Sequence, residues 1–234
     1  MLFHPASLPS GHLHHPLSAL PDRIDDQLNA ARVALDNAET DADLQAGLAA
    51  YGYDAAALAD GRARLDAAQA AQDDVSREYG EQYEATDALA QTREAAEAVY
   101  GPHLALARVA FRADRDARTA LALGGRRRAT TAGWIEQAEQ FYANAIGDAD
   151  VEAGLGRFNV TPADLEAGRD AVAAVAAANA EQEREKGEAQ KATETRDEAL
   201  DALQDWMVDF RDVARVAFRD DPQQLEKLGL LARS

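Results

Sequence analysis

Leu165-Glu166-Ala167-Gly168-Arg169-Asp170-Ala171-Val172-Ala173-Ala174-Val175 opens a run whose reading decides the fold. Its seam residues step by three and four, from Leu165 through Gly168, Val172 and Val175 to Leu203, Met207, Phe210, Ala214 and Ala217. The same alternation runs earlier, from Leu58 through Gly61, Leu65 and Ala68 to Tyr100, His103, Ala107 and Ala110. A three–four alternation is the period of packed helices. No segment alternates in the two-residue rhythm of a strand, so the expected fold is all-α.

The two runs are copies, offset by one unbroken spacing of 107. Arg108-Val109-Ala110-Phe111-Arg112 returns as Arg215-Val216-Ala217-Phe218-Arg219. Asp41-Ala42-Asp43 returns as Asp148-Ala149-Asp150, Ala46-Gly47-Leu48 as Ala153-Gly154-Leu155, and Gly61-Arg62 as Gly168-Arg169. Roughly thirty of the hundred or so paired positions are identical without a gap, the mark of a duplicated unit. The expected architecture is a helical bundle with antiparallel coiled-coil-like packing, its two tandem repeats related by pseudo-twofold symmetry. Residues 1–21 read as an extended arm rich in proline and histidine, 22–127 as the first repeat, 128–133 as a linker and 134–234 as the second repeat.

Each repeat opens with a short helix carrying Ile24, Leu28, Ala31, Leu35 and Ala38, or Ile135, Ala138, Phe141, Tyr142 and Ala145. Asp41 and Asp148 then cap a small second helix that stops near Gly52 or Asn159. Asp54 and Thr161 cap the long run. Its middle, Gln72 to Thr86 and Asn179 to Arg196, is polar, and two forms follow. One is a rod of some 57 residues, on the order of 85 Å. The other is a hairpin turning near Gly80 and Gly187; Pro102 also argues for a kink. The small residues Gly80/Gly187, Ala85/Ala192 and Thr86/Thr193 would let helices approach there, so Gly187→Leu is expected to cost more than about 1 kcal/mol. Asp114 caps a final short helix, as does Asp221, with Pro222 in the first turn and a capping box to Gln224; Gly229 stops the second copy.

Net charge is −18 and lysine occurs only at 186, 191 and 227. Such a field repels nucleic-acid phosphate and anionic lipid. It suits a salty cytoplasm, where a Debye length of about 3 Å at 1 M salt screens self-repulsion. The rival readings are an acidic surface for a basic partner and a mimic of nucleic-acid charge. The absence of cysteine excludes disulfides and thiolate chemistry. Residues 1–21 lack a continuous apolar core, so no secretory signal is expected and the cytoplasm is the default location.

Chemistry-bearing motifs are sparse, and no cofactor or metal is expected. His12, His14 and His15 are close enough to hold a metal but have no spaced carboxylate partner, so a solvated arm is the expected reading. His103 takes the seam position that Phe210 takes in the other copy, which favours core packing over ligation. Tyr79, Tyr83 and Tyr100 read as seam and surface residues, since Lys186, Gln190 and Met207 stand at the matching positions. Arg108, Phe111, Arg112 and Arg215, Phe218, Arg219 are the candidate anion or interaction positions. Two guanidiniums a turn apart can clamp a carboxylate or phosphate. They also favour the negative end of a helix and pair with nearby aspartates, the reading preferred here. Gly124-Gly125 before Arg126 lacks the Gly-Lys-Ser/Thr of a phosphate loop and reads as linker.

The Leu-Ala-Arg-Val-Ala-Phe-Arg string, the following Trp134-x-x-Gln137-Ala138-x-x-Phe141-Tyr142 and the Gly187–Thr193 stretch resemble a group of uncharacterised bacterial tandem helical proteins. The resemblance covers most of 22–234 and implies a helical bundle with no known activity. The resulting expectation is a non-enzymatic scaffold or protein-interaction module, with a partner protein or self-association. The alternative is a bundle that binds a small anion through the arginine pairs.

Overall fold

The computed structural model describes residues 23–230; the arm 1–21 with His12, His14 and His15, and residues 231–234, lie outside them. The described residues hold helices and no strand. In order they are α1 (Ile24–Thr40), α2 (Ala42–Ala49), α3 (Ala55–Ala110), α4 (Arg115–Ala120), α5 (Thr131–Ala145), α6 (Ala149–Gly156), α7 (Pro162–Ala217) and α8 (Pro222–Lys227). The sequence of lengths short, short, long, short occurs twice, and both long helices have 56 residues.

The continuous helix is therefore the form adopted: neither Gly80 nor Gly187 interrupts it, and Pro102 lies exposed inside α3 without ending it. Two or more breakers in a row make a turn, whereas one glycine in a helix costs only about 1 kcal/mol. The polar middles are laced by ion pairs at helical spacing. Arg77 joins Asp74 and Glu81, Arg184 joins Glu181 and Glu188, and Lys186 joins Glu183. Such pairs support an exposed helix one turn at a time.

Local chemistry places the other ends. Asp41 Oδ1 accepts from the amides of Asp43 and Leu44, and Asp148 Oδ1 from those of Asp150 and Val151. Asp54 and Asp114 cap α3 and α4 in the same way. At α7 the Thr161 hydroxyl accepts from the Asp164 amide while Asp164 accepts from the Thr161 amide, a complete capping box. The box expected at α8 does not form. Asp221 has φ −134° and ψ 81°, its side chain caps nothing, and Gln224 Oε1 is buried without a donor. Thr130 caps α5, so Thr131–Gly133 belong to the helix, and residues 121–130 connect it to α4. Gly52 and Asn159 both have positive φ (89° and 60°) just after α2 and α6, the left-handed stop that glycine and asparagine tolerate.

The chain divides into two compact units. One holds described residues 23–70 and 198–230; the other holds 71–197. In the first, Leu28, Leu35, Leu44 and Leu48 pack with Leu58 and Leu65 from the start of α3, and with Met207, Phe210 and Phe218 from the end of α7. In the second, Trp134, Phe141, Tyr142 and Leu155 pack with Leu165 and Val172 from the start of α7, and with Tyr100, Leu104 and Phe111 from the end of α3. Each core thus joins two short helices to the start of the long helix that follows them and to the closing segment of the other long helix.

The close approaches sit at other glycines than expected. A Cβ on Gly187 or Gly80 would meet nothing within 4 Å, so the large penalty expected for Gly187→Leu has no steric basis. A Cβ on Gly154 would lie 2.5 Å from Phe111 Cζ, and one on Gly47 would overlap the Phe218 ring. Gly61 is covered by Trp206 and Gly168 by Tyr142.

Candidate functional site

The polar middle of the second unit gathers carboxylates. Glu78 on α3 and Glu185 and Glu188 on α7 each offer an oxygen, all within 4.8 Å of one another. The helices run antiparallel here: Gln182 Nε2 reaches the Thr86 hydroxyl at 3.5 Å, on the far side of Glu78 from the groove residue Asp74. Glu78 is 6% exposed and Glu185 5%, while Glu188 faces solvent.

Each buried glutamate is half satisfied. Arg77 Nη2 meets Glu78 Oε1 at 2.6 Å, and Arg184 Nη2 donates to Glu185 Oε1. The second oxygen of each, Oε2, is buried with no donor. Both guanidiniums are shared: Arg77 also serves Asp74 and Glu81, and Arg184 also serves Glu181 and Glu188. Desolvation pushes the Glu185 pKa up; the Arg184 charge opposes this, and Glu188, Glu181 and Glu81 add to it. A groove of about 370 Å³ beside the cluster is lined by Asp74, Glu78, Glu188, Lys191, Ala192 and Thr195. Oxygen-only donors of this kind suit a hard cation rather than a thiophilic one.

The cluster was legible in a form that the sequence reading passed over. Arg77-Glu78-Tyr79-Gly80-Glu81 returns as Arg184-Glu185-Lys186-Gly187-Glu188. What makes the string a cluster is the register of α3 against α7, which brings Glu78 beside Glu185 and Glu188.

The arginine motifs are placed as joints. Phe111 and Phe218 are buried in the two cores. Arg108 Nε donates to the Leu123 carbonyl at 3.0 Å, and Nη2 to that of Gly125 at 3.4 Å, pinning the segment after α4. Arg215 pairs with Asp212 at 3.0 Å and Arg219 with Asp220 at 3.1 Å, while Arg112 is exposed. His103 is buried, with Nδ1 3.0 Å from the Tyr142 hydroxyl. Burial lowers its pKa, and the charge of Asp164 opposes this. Tyr100 is buried and receives a hydrogen bond from Arg127 at 2.9 Å. A larger groove of about 550 Å³ in the first unit is lined mainly by alanines of α2 and α3 with Tyr53 and Leu58.

No family model matches the chain, and neither a curated protein nor a solved structure does. No helix among the described residues is long and apolar enough to cross a membrane.

Proposed function

We propose that this chain is a non-enzymatic helical scaffold of a salty cytoplasm that associates with a second copy of itself through the polar middle of α3. One observation carries the reading: Tyr79 and Tyr83 stand one turn apart on α3, 41% and 67% exposed, with ring centroids 6.5 Å apart. The other pairs of aromatic rings in contact among the described residues lie within a core or beside one, so this pair is set apart from the packing. Tyrosines presented on a rigid helix supply contact area at little entropic cost. The same reading takes the molecule as a duplicated unit with pseudo-twofold related repeats. The matched pairs Gly47–Phe218 and Gly154–Phe111 and the equal long helices support it.

The net charge of −18 opposes contact between copies at low salt, and this repulsion is screened in molar KCl. Light scattering across a concentration series should therefore show mass rising with KCl, and Tyr79→Ser/Tyr83→Ser should remain monomeric. A monomer at every salt and concentration would overturn the reading. Association that weakens as salt rises would point instead to a basic partner surface.

A further inference from the structure

We infer that Glu78, Glu185 and Glu188 form a binding site for one hard divalent cation of the Ca2+ or Mn2+ type, separate from the tyrosine surface. The spacing fits a single ion. With calcium–oxygen distances of about 2.4 Å, opposite ligands stand about 4.8 Å apart, and the three carboxylates fall within 4.8 Å.

A purely structural ion-pair network accounts for only part of the arrangement. It satisfies Oε1 of Glu78 and Oε1 of Glu185 and leaves both buried Oε2 atoms without a donor. A buried carboxylate oxygen without a partner is costly, and a cation removes that cost for both glutamates at once. Charge argues the same way. Six carboxylates, those of Asp74, Glu78, Glu81, Glu181, Glu185 and Glu188, stand with three cations, Arg77, Arg184 and the groove residue Lys191. Lys191 and the two shared guanidiniums leave the locality negative. The groove beside Glu78 and Glu188 lets water complete the coordination, as hard cations require.

The test uses the full chain, stripped with a chelator and desalted into molar KCl so that diffuse counterion attraction is screened. Titration with MnCl2, followed by the electron paramagnetic resonance of free Mn2+, should show one tightly held ion per chain that Ca2+ displaces. Glu78→Gln and Glu188→Gln should each weaken binding roughly tenfold or more. Asp87→Asn/Glu94→Gln, which removes exposed acids elsewhere on α3, should leave it unchanged. Mn2+ should also raise the melting temperature of the wild type and not that of Glu78→Gln. Should Glu78→Gln fail to fold, the exposed Glu188 carries the comparison. Absence of a stoichiometric ion, or equal loss in the Asp87/Glu94 variant, would overturn the site and leave only counterions drawn by overall charge. Neither outcome bears on self-association through Tyr79 and Tyr83, which is read from mass.

Discussion

At Gly47 and Gly154 the absence of a side chain lets the rings of Phe218 and Phe111 lie against helix backbone. Alanine at either position forces the ring aside, and overpacking of this kind costs about 1–3 kcal/mol. Urea denaturation should show that loss for Gly47→Ala, with partial recovery when Phe218→Leu is added. Gly187→Ala should do the opposite, gaining up to about 1 kcal/mol, because an exposed helical glycine lacks only propensity. The sequence displays Gly47 and Gly154 as an identical pair but cannot say what covers them, since the covering ring comes from a distant segment of the chain. His103 gives a pH signature. Its native pKa is depressed by burial, while the unfolded chain protonates near an ordinary pKa of about 6.5. Its contribution is complete above that pH and is lost as pH falls toward the native pKa. Melting curves at decreasing pH should therefore show a smaller drop for His103→Phe than for the wild type. Parallel curves would remove His103 from the account.

Helix ends were the most legible elements, because a cap is a contact between residues two or three apart. Asp41, Asp54, Asp114, Asp148 and Thr161 cap where their residue types and positions place them. Asp221 carries the same signal and fails: its backbone does not present the carboxylate to the helix. Asp114→Ala should thus cost about 1 kcal/mol and Asp221→Ala only a few tenths. Equal losses in thermal unfolding would refute the distinction. The long helices were legible as a period but not as rod or hairpin. That choice rests on whether lone glycines at 80 and 187 break a helix laced by Arg77 and Arg184 pairs, and they do not.

Over the whole molecule, charge and connectivity set separate expectations. The −18 net charge should make the melting temperature rise with KCl toward molar levels; a flat or falling dependence would remove the high-salt reading. The composition fixes that expectation, whereas the carboxylate cluster needed the pairing of α3 with α7 to be recognised. Connectivity is the central claim. Because α3 and α7 run on without turning back, Phe111 joins the core that contains α5 and α6, and Phe218 the core that contains α1 and α2. Hairpins at Gly80 and Gly187 would instead return Phe111 to Gly47 and Phe218 to Gly154. Nuclear Overhauser spectroscopy on protein protonated only at phenylalanine and glycine distinguishes the two. Cross-peaks from the Phe218 ring to Gly47 and from the Phe111 ring to Gly154 are the predicted result; Phe111 to Gly47 and Phe218 to Gly154 would contradict it.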